Sequence, residues 1–293
     1  MNPRVREHNG LAIRLPTKLG NLSIISAKSI VGFSNFFKKD YGYVVFLLEP
    51  FYISCLLSFS MSNQSYLDIP AEFRERLAPI RTQQFQLAKQ LDLSSRLNFS
   101  DLRLVAGLDV AYLESDDLAC AGITVVDFRT LEIIEEQVEF FKPAIPYIPT
   151  FLHTRESTGY HTVIKKLEEK PDLFMFDGNG IIHPCGLGLA SQMGLELNKP
   201  TIGIAKELLL GNYQPPLLKG GFSDIVFNDQ IIGVAFQSMN PPAKPIFASQ
   251  GHLIDLPSVI NVLREFNHNQ IYQVKLPLPV FLADKLVKEK IGG

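Results

Sequence analysis

The chain has 293 residues, of which 46% are hydrophobic and 20% charged, a composition typical of a globular protein with one large domain or two small ones. Its net charge of −2 excludes a strongly basic nucleic-acid coat, although a local basic groove beside acidic residues is compatible with it. The three cysteines, Cys55, Cys120 and Cys185, are widely spaced and odd in number, which argues against a disulfide framework and indicates a reducing compartment.

The first 60 residues differ from the rest in charge. They carry 7 basic and 3 acidic side chains, so residues 61–293 have 21 basic and 27 acidic side chains and a net charge of −6. The segment ends in an apolar run, residues 44–61, that approaches the length of about 20 residues needed to cross a bilayer but contains Glu49 and Pro50. Three interpretations stay open for this leader: a membrane anchor, a disordered tail or accessory segment, and an over-long start assignment with Met61 as the initiator.

The chain from Ile69 predicts a helix and then a sheet. The apolar residues that share one helical face at the 3.6-residue period are Ile80, Leu87, Ala88 and Leu91. Pro79 is expected to kink or divide this helix. Three β-rich runs follow, separated by a polar turn at residues 114–117 and by Arg129–Thr130. Strands with such short connections form an antiparallel meander.

Beyond residue 150 the pattern alternates between helices and short strands. Helices are predicted at about 151–170, 187–197, 257–266 and 279–290, and strands at 173–176, 201–205, 225–238 (with a turn at 228–229) and 245–249. We therefore expect one domain of α/β class, in which helices pack on a mixed β-sheet, over residues 61–293.

Three carboxylates are expected to meet at this sheet. A strand–helix–strand connection returns the new strand parallel to the first, which places strand 172–177 beside strand 103–112. Asp109 shares a face with Gly107 and Ala111, two small residues that leave open space. Asp177 ends the neighbouring strand, where an open α/β sheet offers its ligand crevice.

Glu156 supplies the third carboxylate from the intervening helix, two residues after Thr154, a candidate N-cap. Carboxylates that share one cleft repel one another unless a cation neutralises them. Hard oxygen ligands with few nitrogens suit Mg²⁺ or Mn²⁺, the ions of phosphodiester hydrolysis. The sequence therefore predicts a metal site formed by Asp109, Glu156 and Asp177.

Five segments carry a resemblance to a known family: "LDVAY", "PYIPTFLHTRE", "DGNGIIHP" with "GLGLAS", "TIGIAK", and "GH" at 251–252. Their order and spacing resemble the endonuclease V family over about residues 70–290. The resemblance implies a ribonuclease H-like fold and a catalytic domain over residues 61–293. It also implies Mg²⁺-dependent cleavage of strands that contain a deaminated base, chiefly inosine, at the second phosphodiester bond 3′ to the lesion.

The resemblance also assigns roles to individual residues. Asp109, Glu156 and Asp177 match the metal-binding acids, His183 matches a residue of the catalytic centre, and Lys206 matches a strand-end lysine near the scissile region. Tyr147 matches an aromatic wedge. The other residues expected to contact substrate are Pro146, Ile148, Leu152, Gly178, Gly180 and His252, of which the last matches a histidine near the metal.

The physical character of these residues agrees with the roles. Tyr147 lies between Pro146 and Pro149, whose fixed φ stiffens the segment, so the ring can be held out to stack or insert. Gly178 and Gly180 let backbone amides approach a flipped base.

The chain departs from many relatives at four positions. Thr150 replaces a glycine, Asn179 and Gln192 replace histidines, and Cys185 replaces a basic residue. The departures at Thr150 and Cys185 bear on lesion preference and phosphate affinity rather than on the metal site.

Two other metal sites do not fit the sequence. A calcium loop at Asp177 would need other residues at Ile181 and Ile182, and an inverted zinc signature would need a histidine where Ser157 stands. Two alternatives stay open: a ribonuclease H-like nuclease acting on branched or flap structures, and a non-catalytic binding protein tethered to a membrane through residues 44–61. Retention of all three acids argues against the second alternative.

The expected substrate is DNA, single-stranded RNA or both. Both stay open because a protein distinguishes RNA from DNA through contacts to the 2′-hydroxyl, which the sequence does not show. No obligate protein partner is indicated, and a cytoplasmic location is expected.

Overall fold

The computed structural model describes residues 14–15, 22–23, 71–113, 118–269 and 274–292. The chain divides into two units, residues 1–51 and 52–293. In the first unit, strands β1 (Arg14–Leu15) and β2 (Leu22–Ser23) pair antiparallel. The apolar run 44–61 and the polar turn 114–117 lie outside the described residues, and the boundary at residue 60 stays a prediction. None of the helices in the described ranges is both long and apolar enough to cross a membrane.

The second unit contains the remaining described helices and strands. The helices are α1 (Ala71–Ala88), α2 (Leu152–Lys165), α3 (Leu189–Leu197), α4 (Leu256–Asn269) and α5 (Leu278–Ile291). The strands are β3 (Leu104–Tyr112), β4 (Ala119–Asp127), β5 (Ile133–Phe141), β6 (Leu173–Asp177), β7 (Thr201–Ala205), β8 (Phe222–Phe227), β9 (Gln230–Phe236) and β10 (Ile246–His252).

The eight strands β3–β10 form one mixed sheet in the order β5-β4-β3-β6-β7-β10-β9-β8. Strands β3, β4 and β5 form the predicted antiparallel meander. Strand β6 returns parallel to β3, and β7 continues parallel to β6, before the antiparallel strands β10, β9 and β8 complete the sheet. The predicted α/β fold, a mixed sheet flanked by helices, is confirmed.

Alternate residues of β3 face the two helical layers. Leu104 and Leu108 belong to a buried cluster with Tyr160 of α2, whereas Val105 belongs to a second cluster with Val280 of α5. Helix α3 lies on the same face as α2, and α4 lies on the same face as α5. The sheet is therefore covered on both faces. Even-numbered residues of β3 face the layer of α2 and α3, and odd-numbered residues face the layer of α4 and α5.

Gly107 determines how closely α5 approaches the sheet. A Cβ at this position would lie 2.0 Å from the carbonyl carbon of Pro279, so a side chain there would collide with the first turn of the helix. The expectation that Gly107 leaves open space is therefore wrong, because the backbone of α5 occupies that space. The glycine fixes the level at which α5 crosses β3.

Helix α1 buries a different face from the predicted one. Its buried residues are Leu77, Arg81 and Gln84, whereas the predicted stripe from Ile80 to Leu91 is only partly buried. The helix continues through Pro79 without a break, so Pro79 does not divide it, and a kink at this proline stays a prediction. An arginine and a glutamine on a buried face need polar partners, and the loop before α2 provides them.

Candidate active site

Three aspartates converge on the α5 face of the sheet. Asp109, Asp177 and Asp284 each offer a carboxylate oxygen, and these oxygens all lie within 4.8 Å of one another. Asp109 comes from β3, Asp177 from the end of β6, and Asp284 from α5. We call these three residues the acid cluster.

The contact between Gly107 and Pro279 explains why Asp284 reaches the cluster. Asp109 lies two residues beyond Gly107, about 7 Å along the strand, and Asp284 lies five residues beyond Pro279, about 7.5 Å along the helix. The close approach at Gly107 therefore sets Asp284 level with Asp109. The neighbouring strand β4 supports the same alignment of α5 with β3. Its residue Gly122 pairs with Asp109 and lies against Val287 of α5.

The acid cluster is short of positive charge. Burial and then the neighbouring charge of Asp177 raise the pKa of Asp109 to about 9, and burial also raises the pKa of Asp177. Burial acts on Asp284 in the same direction, but hydrogen bonds from Lys288 and Lys206 lower its pKa overall. The acid cluster as a whole therefore takes up either a proton or a cation. Its three carboxylates are the hard oxygen donors that Mg²⁺ and Mn²⁺ prefer.

Lys206 lies at the edge of the acid cluster, just beyond the end of β7. Its Nζ donates hydrogen bonds to Asp177 Oδ2 at 2.6 Å and to Asp284 Oδ1 at 3.1 Å. Burial opposes the charged form, but Asp177 and the other nearby carboxylates raise the pKa of Lys206 above its ordinary value. The lysine is therefore cationic at neutral pH and remains half exposed to an approaching anion.

Glu156 approaches from the opposite layer and is not part of the acid cluster. It lies on α2, where its two carboxylate oxygens accept hydrogen bonds from the hydroxyls of Tyr112 and Tyr160. Burial raises its pKa to about 7, and the charge of Asp177 also acts in that direction, so the two residues interact. Thr154 does not cap the helix, since α2 begins at Leu152 and Thr154 lies inside it.

Tyr147 is exposed at the centre of a loop whose ends are buried. Its exposed fraction is 65%, whereas Ile145, Ile148 and Phe151 pack in a cluster with Leu77 of α1. We call residues 145–151 the Tyr147 segment. Pro146 is exposed beside the tyrosine, so both residues face solvent from an anchored loop.

His183 holds the Tyr147 segment through its imidazole. Nε2 donates to the carbonyl oxygen of Thr150 at 3.1 Å, and Nδ1 accepts from the backbone N–H of Cys185 at 3.2 Å. Burial and the nearby Arg81 lower its pKa to about 3, so the ring is neutral at physiological pH. Both ring nitrogens are thus used within the protein, and a catalytic role for His183 stays a prediction.

Gly178 and Gly180 lie where the chain leaves β6. The amide of Gly178 donates to Ile204 O at 2.7 Å, and the amide of Gly180 donates to Ser249 Oγ at 3.1 Å. A Cβ at Gly180 would lie 2.0 Å from Gln250 O, so the glycine is needed for packing against β10. Leu152 is also close, since a Cβ at Gly178 would lie 3.4 Å from its Cδ2. Contact of these residues with a base stays a prediction.

His252 lies away from the acid cluster. It pairs with Thr201 at the start of β7, whereas Asp177 pairs with Ile204, three residues or about 10 Å further along the strand. Its Nδ1 accepts a hydrogen bond from the backbone N–H of Asp92 at 3.2 Å. The structure therefore does not bring His252 to the carboxylates, because β10 runs antiparallel to β7 and carries its last residue to the opposite end.

Four residues near the site were not identified from the sequence. They are Asp284 in the acid cluster, Arg155 beside Glu156, and Arg81 and Gln84 on α1. Asp284 follows Ala283 within the buried stripe of α5, and an acid on such a stripe is a sequence feature that could have identified it. Arg81 and Gln84 carry no such feature, because an apolar-period search discards polar residues on a buried face.

Comparisons with known proteins agree on one family. A sequence model of the endonuclease V family matches residues 85–285. An endonuclease V of Rippkaea orientalis is 36% identical over 215 residues, which cover 73% of this chain and 91% of that protein. The crystal structure of an endonuclease V from Bacillus subtilis has a TM-score of 0.68 at 33% identity, covering 76% of this chain and 93% of that one.

A third protein, an endonuclease V of Ciona intestinalis, was crystallised with a 23mer DNA containing an inosine followed by a ribo-adenosine. It covers 75% of this chain and 98% of its own with a TM-score of 0.65, and its 23% identity shows a likeness of fold alone. The family match over residues 85–285, the relatives matched over most of their own length and the acids at the sheet lead to one conclusion. The chain belongs to the endonuclease V family and is a nuclease.

Proposed function

We propose that this nuclease is metal-dependent and hydrolyses the second phosphodiester bond 3′ to an inosine in DNA or RNA. The observation that carries the proposal is the acid cluster with Lys206 at its edge, on a sheet whose neighbouring loop exposes Tyr147. The position of the cut and the inosine base rest on the motifs "PYIPTFLHTRE" and "DGNGIIHP". Repair of deaminated nucleic acid is the process that such a reaction serves.

The donor set of the acid cluster fits Mg²⁺, with Mn²⁺ as a substitute. Three carboxylate oxygens converge, and the raised pKa values of Asp109 and Asp177 reflect a place where a cation is favourable. We propose that Asp109, Asp177 and Asp284 hold the ion, with Glu156 beside them. A bound Mg²⁺ supplies Lewis acidity at a phosphoryl oxygen.

Lys206 contributes a fixed positive charge at the same place. Its hydrogen bonds to Asp177 and Asp284 hold the ammonium group at the rim of the cluster, and the raised pKa keeps it charged. We propose that Lys206 binds a phosphate of the strand and orients it toward the carboxylates. Electrostatic positioning of this kind is the main protein contribution to reactions at phosphate.

Tyr147 recognises the lesion in this proposal. An exposed ring on an anchored loop can fill the gap left by an extruded base, as inserted side chains do in other nucleic-acid complexes. The extruded inosine then lies near Gly178, Gly180 and Leu152. The protein would act in a reducing, cytoplasmic compartment, which suits the free thiols of Cys120 and Cys185.

The test is cleavage of end-labelled strands with one inosine, as single-stranded DNA, duplex DNA and single-stranded RNA, with Mg²⁺ and with EDTA. We expect one Mg²⁺-dependent cut, one nucleotide beyond the bond directly 3′ to inosine, and none in strands with adenosine instead. Asp177→Asn serves as the inactive control for contaminating nucleases. Cleavage of an undamaged flap substrate in preference to inosine would replace the proposal with a structure-specific nuclease.

A further inference from the structure

Thr150 adopts a backbone conformation that a threonine avoids. Its φ is +70°, in the left-handed region, where the branched Cβ of threonine is crowded by the backbone. The residue is buried near the end of the Tyr147 segment, two residues before α2 begins. Such a conformation persists only where the surroundings impose it.

Helix α1 supplies the groups that impose this conformation. The guanidinium of Arg81 donates through Nη2 to Thr150 Oγ1 and through Nη1 to Cys185 Sγ at 3.0 Å, and it lies over the Phe151 ring at 4.4 Å from the centroid. Gln84 Nε2 donates to the carbonyl oxygen of Thr150 at 3.1 Å. Arg81 is 6% exposed and Gln84 is 2% exposed, so both side chains are committed to this contact.

The other end of the segment is held in a similar way. Arg155 Nη1 donates to the carbonyl oxygen of Ile145 at 2.7 Å, and its guanidinium lies over the Tyr112 ring at 4.2 Å. Tyr112 in turn donates to Glu156. The segment is therefore fixed at Ile145 from α2 and at Thr150 from α1 and His183, with Tyr147 between the two anchored ends.

We propose that Arg81 and Gln84 are positioning residues for lesion recognition: by holding Thr150 at positive φ, they keep the Tyr147 segment in the conformation that presents the Tyr147 ring to the strand. The inference rests on the proposed role of Tyr147. Helix α1 thereby contributes to specificity. This role explains why the helix buries the polar side chains of Arg81 and Gln84. The contacts described for Arg81 and Gln84 lie within the Tyr147 segment and at Cys185, so we expect the rate of the chemical step to change little when either residue is replaced.

The absence of tryptophan from the chain allows a direct measurement of the segment. In the full-length protein, Tyr147→Trp introduces a single indole whose fluorescence anisotropy reports the mobility of residue 147. Arg81→Met and Gln84→Met are added separately, since each removes donors while keeping an apolar stem. Gln83→Met is the matched control, because Gln83 is exposed on the same helix. We expect lower anisotropy for the Arg81 and Gln84 variants and no change for the control.

The functional arm uses the same substitutions with Tyr147 intact. Gel-shift titration in Ca²⁺ compares strands with and without inosine, and steady-state cleavage in Mg²⁺ separates KM from kcat. We expect inosine discrimination to fall about tenfold for Arg81→Met and about threefold for Gln84→Met. KM for the inosine strand should rise by similar factors, with kcat within twofold of wild type.

Thr150→Gly provides the rescue. Glycine adopts positive φ without crowding, so Thr150→Gly added to Arg81→Met should recover most of the lost discrimination and anisotropy. A general loss of structure would not be recovered in this way. If Arg81→Met does not fold, Gln84→Met carries the test, since it removes one hydrogen bond.

Tyr147→Ala in the same titration separates the two proposals. If Tyr147→Ala discriminates as wild type does, the role of Tyr147 in the proposed function is wrong, and the indole anisotropy of the Tyr147→Trp protein still tests the hold by α1. If Tyr147→Ala loses discrimination while Arg81→Met and Gln84→Met keep both wild-type discrimination and wild-type anisotropy, the positioning role is overturned. A fall in kcat with unchanged KM would overturn it as well.

Discussion

The acid cluster and the Tyr147 segment are positioned by different means. The backbone places the acid cluster: pairing of β3 with β6 sets Asp109 beside Asp177, and the contact of Gly107 with Pro279 sets Asp284 level with them. Side chains place the Tyr147 segment, which is an irregular loop held by hydrogen bonds at its two ends.

This difference predicts that chemistry and recognition can be damaged separately. Substitutions in the acid cluster should weaken or remove cleavage and leave lesion binding, because the strands and the helix that carry the acids do not depend on the carboxylates. Substitutions in the Tyr147 segment or its anchors should weaken discrimination and leave the metal site. The predictions below test this separation, beginning with the largest expected effect.

Asp109→Asn or Asp177→Asn should abolish detectable cleavage of the inosine strand. Each change removes a charge required by the metal, while the amide keeps the shape of the side chain. In EDTA these variants should melt no lower than wild type, because the amide is neutral at a place where a carboxyl must either hold a proton or bury a charge. Cleavage at saturating substrate and thermal melting are the measurements, and Asp224→Asn, an exposed acid on β8, is the control. A clear loss of stability without metal would mean that these acids are structural.

Asp284→Asn should cause a smaller defect that additional metal restores. Lys288 already neutralises part of the charge of Asp284 through hydrogen bonds of 2.9 and 2.7 Å. Loss of the Asp284 carboxylate should therefore weaken Mg²⁺ affinity by only roughly tenfold to a hundredfold. The measurement is cleavage rate against Mg²⁺ concentration, repeated with Mn²⁺. An unchanged midpoint would show that Asp284 does not contribute to the metal site.

Tyr147→Ala should weaken lesion recognition without affecting metal binding. Stacking contributes about 1–3 kcal/mol per base, which corresponds to a loss of roughly tenfold to a hundredfold in affinity for the inosine strand. Phe at this position should retain most of the affinity, since the face of the ring does the stacking. Gel-shift titration in Ca²⁺ against inosine and undamaged strands measures the effect. Wild-type affinity of Tyr147→Ala for both strands would show that the ring has no part in recognition.

The sequence predicted the elements of the sheet and two members of the acid cluster for a physical reason. Period-2 runs with short connections indicate a meander, and the return strand must then lie beside β3, so Asp109 and Asp177 become neighbours before any contact is known. Asp284 was missed because its place depends on how deeply α5 approaches β3. That depth follows from Gly107, whose missing side chain gives no direct sign of what fills the space.

The errors at α1 and His252 have related causes. The buried face of α1 was assigned from apolar residues, but the loop it covers offers Thr150 oxygens, and polar side chains are the better partners there. His252 was assigned by order in the chain, whereas its position in space depends on the antiparallel direction of β10. Long-range contacts decide both cases, and neither follows from a local pattern.

Without metal, stability should fall as pH rises from 7 to 9. The folded pKa of Asp109, about 9, lies above its unfolded value of 3.8, so the folded state holds a proton that the unfolded state has lost. The stability from this proton is fully present below the unfolded value and is lost as pH rises through 9, at up to about 1.4 kcal/mol per pH unit.

Melting curves in EDTA at pH 7, 8 and 9 measure this slope. Asp109→Asn should reduce the slope, because the group with the highest raised pKa is gone, and the part that remains near pH 7 comes from Glu156. Mg²⁺ should reduce the slope in the wild type by taking the place of the proton. An Asp109→Asn protein with the wild-type slope would show that Asp109 is not the source of the pH dependence.

The smallest expected effect comes from deletion of the leader, residues 1–60. The acids lie on β3, β6 and α5, and the anchors of the Tyr147 segment lie on α1 and α2, so every described residue in either region follows residue 70. Deleting residues 1–60 should therefore leave cleavage rate and inosine discrimination within twofold of the full chain. Parallel assays of the full chain and of residues 61–293 at equal active concentration, by titration with the inosine strand, measure both quantities. Loss of discrimination alone would place part of the leader beside the Tyr147 segment, and insolubility of the shorter chain would show that residues 44–61 pack against the domain.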